Sequence, residues 1–143
     1  MEINSNELII HSDGGARGNP GPAAAAFVAE DLSGEIFSSG KYLGQTTNNV
    51  AEYSGVIIAL QWLKGEQVKY PQADVKFFLD SELVVNQLNG IFKIKDQKLR
   101  ELILQVRSLE TEKKKNIYYK AVPREKNFRA DFLVNQTLDQ QTS

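Results

Sequence analysis

Apolar and polar positions in the first part of the chain predict three β-strands. The apolar run Leu8–Ser12 ends at an Asp-Gly pair, Asp13-Gly14, which is a turn signal and predicts the end of a first strand. Ala23–Glu30 fits two structures, because its four successive alanines after a proline favour a helix, whereas its later aromatic and β-branched residues and a following glycine turn favour a hairpin. In the hairpin, Glu35–Leu43 is the partner strand.

The rest of the chain alternates between helical and strand patterns. Between Val50 and Lys64 apolar residues recur at helical spacing, and Gly65 follows as a stop signal. The other predicted elements are a strand at Val75–Leu79, a helix at Ser81–Leu88, a helical stripe from Leu99 to Leu109, a strand at Ile117–Val122 and a helix at Phe128–Leu138. We expect Gln140–Ser143 to be a frayed tail. Early strands followed by alternating helices and strands predict an α/β fold, with one mixed sheet flanked by helices.

Length and composition are those of one folded domain. At 143 residues the chain is expected to be a single domain spanning 1–143, with its core at about 8–138. Its 41% hydrophobic and 24% charged residues argue against disorder. It has no apolar run of membrane-spanning length, no signal-peptide pattern in Met1–Glu7 and no cysteine. We therefore expect a cytoplasmic protein without a disulfide framework, a thiolate metal site or a membrane partner.

The formal net charge of -1 gives no support to nucleic-acid binding. Domains that bind nucleic acid are often basic, because neutralising phosphates supplies much of their affinity. The charge does not exclude such a partner, since local charge matters more than the sum.

Four acids, Asp13, Glu52, Asp80 and Asp131, follow predicted strands or begin predicted helices. Each has an ordinary explanation: in order, a turn aspartate, the end of an N-V-A-E capping box, a helix N-cap and an acid favourable to a helix dipole. Ligands of such sheets bind near the carboxyl ends of strands, where these acids can also meet. Clustered carboxylates repel one another, and a hard divalent cation stabilises them. Spacing alone leaves both interpretations open.

The glycine-rich stretch HSDGGARGNPGP, His11–Pro22, does not match a phosphate-binding loop. Its glycines do not spell GxGxxG, and no Gly-Lys-Ser/Thr is present for a P-loop. The pattern argues against a dinucleotide or nucleoside triphosphate site. The only histidine, His11, lies inside the first predicted strand, and we expect it to be structural.

Four ordered motifs, DGGARGNPGP, TTNNVAEY, DSELVVNQLNG and REKNFRAD, closely resemble type 1 ribonuclease H over about Leu8 to Asn135. The resemblance implies an RNase H-like α/β fold with a five-stranded mixed sheet, its first three strands antiparallel, and so assigns Ala23–Glu30 to a strand. The implied activity is endonucleolytic hydrolysis of the RNA strand of RNA/DNA hybrids, leaving 5′-phosphate and 3′-hydroxyl ends. The implied cofactor is Mg²⁺ or Mn²⁺, with two ions per active site.

The resemblance also implies the roles of individual residues. Asp13, Glu52, Asp80 and Asp131 match the family's metal-binding acids, with Asp13 and Asp80 closest to the metals and Glu52 also contacting a 2′-hydroxyl. The implied nucleic-acid contacts are Gly14, Gly15, Ala16, Asn19, Thr47, Asn48, Asn49, Ser81, Glu82 and Asn86. Amide side chains both donate and accept, which suits the RNA 2′-hydroxyl. Thr47 and Asn86 match a DNA-phosphate site, with an ordinary helix-flanking threonine and an exposed helical asparagine as the alternatives.

The sequence departs from the best-known bacterial members in three places. Their mobile histidine before the last aspartate is missing, and Arg124 is our candidate for its role, with a surface arginine as the alternative. Glu82 stands where several relatives have glutamine. A basic, aromatic-rich protrusion is reduced to Phe92, Lys93, Lys95 and Lys98 within Asn89–Lys98, whereas Lys113–Lys115 is expected to be a solvated helix end.

Two other functions are compatible with the same fold. One is a nucleic-acid-binding domain without useful catalysis, which gains nothing from four clustered carboxylates. The other is a phosphoryl-transfer enzyme of the wider superfamily, such as a transposase or resolvase, in which GNPGP and TTNNVAEY are not expected. The expected partner is therefore an RNA/DNA hybrid, with no obligatory protein partner and a monomeric state.

Overall fold

The computed structural model describes residues 6–65, 74–113 and 116–142, which contain one five-stranded sheet and four α-helices. The strands are β1 (Glu7–Ala16), β2 (Gly21–Asp31), β3 (Gly34–Thr46), β4 (Asp74–Leu79) and β5 (Ile117–Ala121). The helices are α1 (Asn48–Gly65), α2 (Glu82–Leu88), α3 (Gln97–Lys113) and α4 (Phe128–Thr142). A 3-10 turn, Arg124–Asn127, leads into α4.

The sheet has the order β3-β2-β1-β4-β5 and is mixed, as the sequence predicts. β1 pairs antiparallel with β2, and β2 with β3, whereas β4 runs parallel to both β1 and β5. The alanine-rich segment is β2, which confirms the strand that the resemblance assigns to it. Residues 23–29 are all buried, and this burial between two layers overrides the helix propensity of alanine.

Helices cover both faces of the sheet and form two apolar clusters. On one face, α1 packs on β1 and β2 and α3 packs on α1, in a cluster that includes Leu8, Ile10 and Phe27. On the other face, α4 packs on β2 through Ala24, Ala26, Val28, Leu133, Val134 and Leu138. The small alanine side chains bring α4 close to the sheet. None of the helices in the described residues is long and apolar enough to cross a bilayer.

Several predicted boundaries need correction. β1 continues through the Asp13-Gly14 pair to Ala16, because residues 13–16 pair with residues 23–26 of β2. Ser81 precedes α2 as its N-cap rather than belonging to the helix, and β5 ends at Ala121. α4 continues to Thr142, so the frayed tail expected from Gln140 is wrong over 140–142. Residue 143 lies outside the described residues, as do 114–115 of the expected solvated helix end, whereas Lys113 closes α3.

Candidate active site

Two of the four acids lie at the same edge of the sheet because their strands are parallel neighbours. β1 and β4 pair in register up to His11 and Phe78, and Asp13 and Asp80 each follow this pair by two residues. Asp13 lies within β1 opposite Ala26, and Asp80 directly follows β4. The acids of two chain segments are thereby brought together.

Glu52 joins them from α1 because β1 and α1 approach closely at Gly14. A Cβ atom on Gly14 would lie 2.1 Å from both the backbone carbon and the carbonyl oxygen of Ala51, and 2.5 Å from the Glu52 nitrogen. Only glycine permits this distance. As a result, one carboxylate oxygen from each of Asp13, Glu52 and Asp80 lies within 4.8 Å of the other two.

Burial and mutual repulsion raise the pKa values of this triad. The Asp13 pKa rises to about 7, chiefly through burial and then through the Asp80 charge. Burial, followed by the charge of Asp13, raises the Glu52 pKa well above its ordinary value. Burial also raises the pKa of Asp80, which Arg124 lowers and Asp131 raises. Because burial and repulsion disfavour the charged form of each acid, the site is one that positive charge would stabilise.

The triad fits a hard divalent cation. The triad offers only carboxylate oxygens as donor atoms, and both Asp13 and Glu52 are buried. Glu52 Oε2 is buried without a hydrogen-bond partner, which leaves an oxygen lone pair unsatisfied. An all-oxygen donor set with an unsatisfied buried oxygen is the chemistry that Mg²⁺ and Mn²⁺ prefer.

Asp131 and Arg124 lie in the same cleft as the triad. The cleft has a volume of about 450 Å³, and its lining includes the three acids. Asp131 comes from the first turn of α4, and Arg124 from the 3-10 turn that precedes it. The cleft therefore contains all four predicted acids and the predicted arginine.

Half of the predicted nucleic-acid contacts line this cleft and half lie outside its lining. Those that line it are Gly14, Gly15, Ala16, Asn48 and Ser81; those that do not are Asn19, Thr47, Asn49, Glu82 and Asn86. Two hydrogen bonds hold Asn48 in place. Its side-chain Oδ1 accepts from the backbone N–H of Ala16 at 2.8 Å, and its backbone N–H donates to Asn19 Oδ1 at 3.0 Å. Asn19 thus supports the cleft edge.

The residues that cap α1 and α2 show that neither Glu52 nor Asp80 is explained by a role in helix capping. The hydroxyl of Thr47 accepts from the Val50 amide at 3.2 Å and caps α1, so the capping box that would explain Glu52 is wrong. Ser81 accepts from the Val84 amide and caps α2, so Asp80 is not its N-cap. The turn explanation of Asp13 is wrong as well, since that residue is paired within β1.

Sequence reasoning missed three polar residues at the site. Arg17 and Asn135 line the cleft, and the Arg17 guanidinium also forms an ion pair with Asp139 at 2.7 Å. Asn127 is 1% exposed, and its Nδ2 donates to the carbonyl of Ser12, the residue before Asp13, at 2.9 Å. A buried amide four positions before Asp131 carries no periodicity signal, so only the spatial arrangement identifies it.

Comparison with known proteins gives a consistent result. A family model described as "Reverse transcriptase-like" matches residues 11–137. "Bifunctional protein Rv2228c" of Mycobacterium tuberculosis (strain ATCC 25618 / H37Rv) is 38% identical over 93% of the chain, which spans 36% of that protein. "Ribonuclease HI" of Halobacterium salinarum (strain ATCC 700922 / JCM 11081 / NRC-1) is 38% identical over 89% of the chain, which spans 62% of that relative.

A solved structure extends the similarity to the fold as a whole. The structure of LC11-RNase H1, a protein isolated from compost, in complex with an RNA/DNA hybrid is similar to this chain with a TM-score of 0.91 and 41% identity. The similarity covers 96% of this chain and 100% of that one.

Proposed function

Because the chain belongs to the type 1 ribonuclease H family, we propose that it hydrolyses the RNA strand of RNA/DNA hybrids, leaving 5′-phosphate and 3′-hydroxyl ends. The observation that carries the proposal is the convergence of Asp13, Glu52 and Asp80 within 4.8 Å in an open cleft. The hybrid bound to a relative of 41% identity supports the substrate class.

The four acids Asp13, Glu52, Asp80 and Asp131 are the proposed ligands of two divalent cations, Mg²⁺ or Mn²⁺. When bound, such a pair of ions activates a water and stabilises the leaving oxygen of an in-line displacement at phosphorus. The role of the acids is to supply the negative charge that holds the ions. The carboxylates of Asp13, Glu52 and Asp80 are closely spaced, and the first two are buried, before the substrate arrives.

The cleft edge is proposed to select RNA through its 2′-hydroxyls. The backbone of Gly14, Gly15 and Ala16 runs along the cleft, and Asn48 is held beside it by Asn19. With Asn49, Ser81, Glu82 and the Glu52 carboxylate, these groups can donate to and accept from a hydroxyl that DNA lacks.

Thr47 and Asn86 are proposed to bind a phosphate of the DNA strand. The Thr47 oxygen accepts from the Val50 amide, which leaves its hydroxyl proton available to a phosphate oxygen. Asn86 lies on α2, six residues after Asp80, and its side chain is half-buried.

Arg124 is proposed to take the place of the family's mobile histidine. Its guanidinium lines the cleft and lowers the pKa of Asp80. Because a guanidinium keeps its charge at all working pH values, Arg124 acts by attracting the cleaved phosphate and not by exchanging a proton. We expect Arg124→Ala to slow multiple-turnover cleavage more than the first turnover, and Arg124→Lys to retain part of the rate.

The decisive experiment uses an RNA/DNA hybrid labelled on each strand in turn, with Mg²⁺, Mn²⁺ or EDTA. We expect cutting of the RNA strand alone, dependent on metal and lost in Asp13→Asn. Binding without cutting in either metal would instead indicate a hybrid-binding domain. Cutting of the DNA strand would indicate the wider phosphoryl-transfer superfamily. End analysis of the products tests the 5′-phosphate and 3′-hydroxyl.

A further inference from the structure

Arg17 places a cation in the wall of the cleft, beside the backbone that is proposed to contact RNA. It directly follows Ala16, the last residue of β1, and Asn19 lies two residues later. Its backbone is held tightly, because its N–H donates to the Pro22 carbonyl at 2.9 Å and a Cβ atom on Gly21 would lie 2.1 Å from its carbonyl oxygen. The base of the side chain is therefore fixed, and the residue lines the cleft.

The Arg17 guanidinium contacts the second half of α4 through a single nitrogen. Nη2 forms an ion pair with the Asp139 carboxylate at 2.7 Å, and it donates to the backbone and side-chain oxygens of Asn135, each at 3.4 Å. Among the described residues, Nη1 and Nε have no hydrogen-bond or ion-pair partner, so three N–H protons remain for another acceptor. The Asp139 side chain is 69% exposed, and ion pairs at such positions are weak. A phosphate oxygen can therefore compete with this carboxylate.

Arg129 shows how a more fully paired arginine is arranged in the same molecule. Its Nε and Nη2 donate to the two carboxylate oxygens of Glu35 at 3.1 and 3.3 Å, and its guanidinium lies 5.9 Å from the centre of the Phe132 ring. It is not part of the lining of the cleft. The side chains of Arg17 and Arg129 are almost equally exposed, at 41% and 40%, so they differ in how their donors are used and in which surface they face.

Asn135 relates the position of Arg17 to the acids. Its Nδ2 donates to the Asp131 carbonyl at 3.1 Å, and its Oδ1 accepts from Arg17. Residues 135 and 139 follow Asp131 by one and two turns of α4, which is about 6 to 12 Å along the helix axis. Because one strand of B-DNA advances about 3.4 Å per nucleotide, the guanidinium lies a few nucleotides from a phosphate held at the acids.

We propose that Arg17 binds a phosphate of the RNA strand near the cleaved bond, and that this phosphate replaces Asp139 as the partner of the guanidinium. The inference rests on the proposed function, since the proposed contacts of residues 14–16 and 19 assign the RNA strand to this wall. A planar guanidinium matches the geometry of a phosphate. It also supplies positive charge in a cleft whose four acids repel the RNA backbone. Arg17 therefore acts on the affinity for the hybrid and not on the chemical step.

The test measures binding of an RNA/DNA hybrid by fluorescence anisotropy over a range of salt concentrations, in an Asp13→Asn background that leaves the hybrid uncut. We expect Arg17→Gln to weaken binding about tenfold at low salt, because a charge-assisted hydrogen bond is lost. The slope of log affinity against log salt should fall by about one. Arg17→Lys keeps the charge and should keep the slope. Arg129→Gln is the matched control and should change neither quantity.

Asp139 separates phosphate binding from a role of Arg17 as a structural link to α4. A link alone predicts that Arg17→Gln and Asp139→Asn both lower the melting temperature and that neither tightens binding. Our proposal predicts that Asp139→Asn tightens binding by up to about fivefold, and that the gain disappears when Arg17→Gln is added. Glu35→Gln, which removes the partner of Arg129, is the control for the loss of an acid. Unchanged or weaker binding in Asp139→Asn would overturn the proposal, as would an unchanged salt slope in Arg17→Gln.

Steady-state cleavage by proteins that keep Asp13 distinguishes failure of this inference from failure of the proposed function. We expect Arg17→Gln to raise KM more than it lowers kcat. A wild type that cuts RNA, together with an Arg17→Gln variant of unchanged KM, would refute the role of Arg17 alone. A wild type that leaves hybrids intact would refute the nuclease, while the anisotropy measurements still decide the role of Arg17. A protein that binds no hybrid would refute both.

Discussion

The charge of Asp13 has opposite effects on folding stability and on cation binding. It is 5% exposed and lies beside two other acids, so in the metal-free protein its charge costs free energy. The same charge is what attracts a divalent cation. The charge that would bind a cation therefore lowers folding stability at this position. A neutral side chain should raise stability and lose the proposed function.

We expect Asp13→Asn to abolish hybrid cleavage and to raise stability in EDTA by about 1–2 kcal/mol, because it removes repulsion with Glu52 and Asp80. Urea unfolding of both proteins in EDTA and in Mg²⁺ measures this. The gain should shrink in Mg²⁺, which stabilises only the wild type. A variant that unfolds at lower urea than the wild type in EDTA would contradict a strained acid cluster.

Their places beside predicted strands and helices singled out the four acids, and the family resemblance gave them a role, but neither predicted what surrounds them. Asp13 looked like a turn residue because an Asp-Gly pair usually ends a strand, and the local pattern does not include the pairing with Ala26 that continues β1. Asn127 was missed for a related reason. Its partners, Ser12 and His11, lie more than a hundred positions earlier in the chain.

Among the elements, β2 is the one whose local sequence pattern is least sufficient to predict its secondary structure. Its alanines favour a helix locally, and the strand forms because burial on both faces and pairing on both edges outweigh that preference. The helices α1 and α3 were predicted correctly because their apolar spacing is long and regular. Ends such as the extension of α4 to Thr142 depend on packing that the local pattern does not contain.

The alanines of β2 also determine where α4, and with it Asp131, lies. We expect Ala24→Leu to destabilise the protein by about 1–3 kcal/mol, because the larger side chain has no room under Leu133 and Val134. Mn²⁺ affinity should fall as well, since α4 must move outward. Ala24→Ser, which preserves the size, is the control for displacement. Unfolding curves and Mn²⁺ titration that match the wild type in Ala24→Leu would contradict this account.

For the whole molecule, the buried acids predict an unusual dependence of stability on pH. Asp13 ionises near its ordinary pKa of 3.8 in the unfolded chain and at about 7 in the folded protein. Between these values the folded state holds more protons, so the free energy of unfolding decreases as pH rises from about 4 to 7. The raised pKa of Glu52 acts in the same direction.

Melting temperatures in EDTA across this pH range test the prediction. We expect a continuous fall towards pH 7 in the wild type and a smaller fall in Asp13→Asn. Saturating Mg²⁺ should flatten the wild-type profile, because the ions bind the deprotonated acids. A metal-free wild type that becomes more stable between pH 5 and pH 7 would show that the acids are not destabilised by burial.

The charge distribution of the whole molecule predicts a modest affinity for hybrid that depends on salt. With a net charge of -1, affinity for hybrid must rest on local cations, and the exposed Lys93, Lys95 and Lys98, between α2 and the first turn of α3, are the candidates. About three phosphate contacts would weaken binding roughly ten- to hundredfold between about 50 and 200 mM salt. Replacing all three lysines by glutamine should flatten this dependence, whereas Lys41→Gln on β3 is the control. A wild-type binding constant that stays flat over this range would contradict the prediction.

The proposed catalytic acids are distributed over β1, α1, the end of β4 and α4. A polypeptide still being translated therefore contains an incomplete set until α4 has emerged, and the helix must then dock on the alanines of β2 before Asp131 reaches the cleft. Under the proposed function, the order of synthesis itself delays nuclease activity, and a ribosome-bound chain lacking α4 is inert towards any hybrid near it.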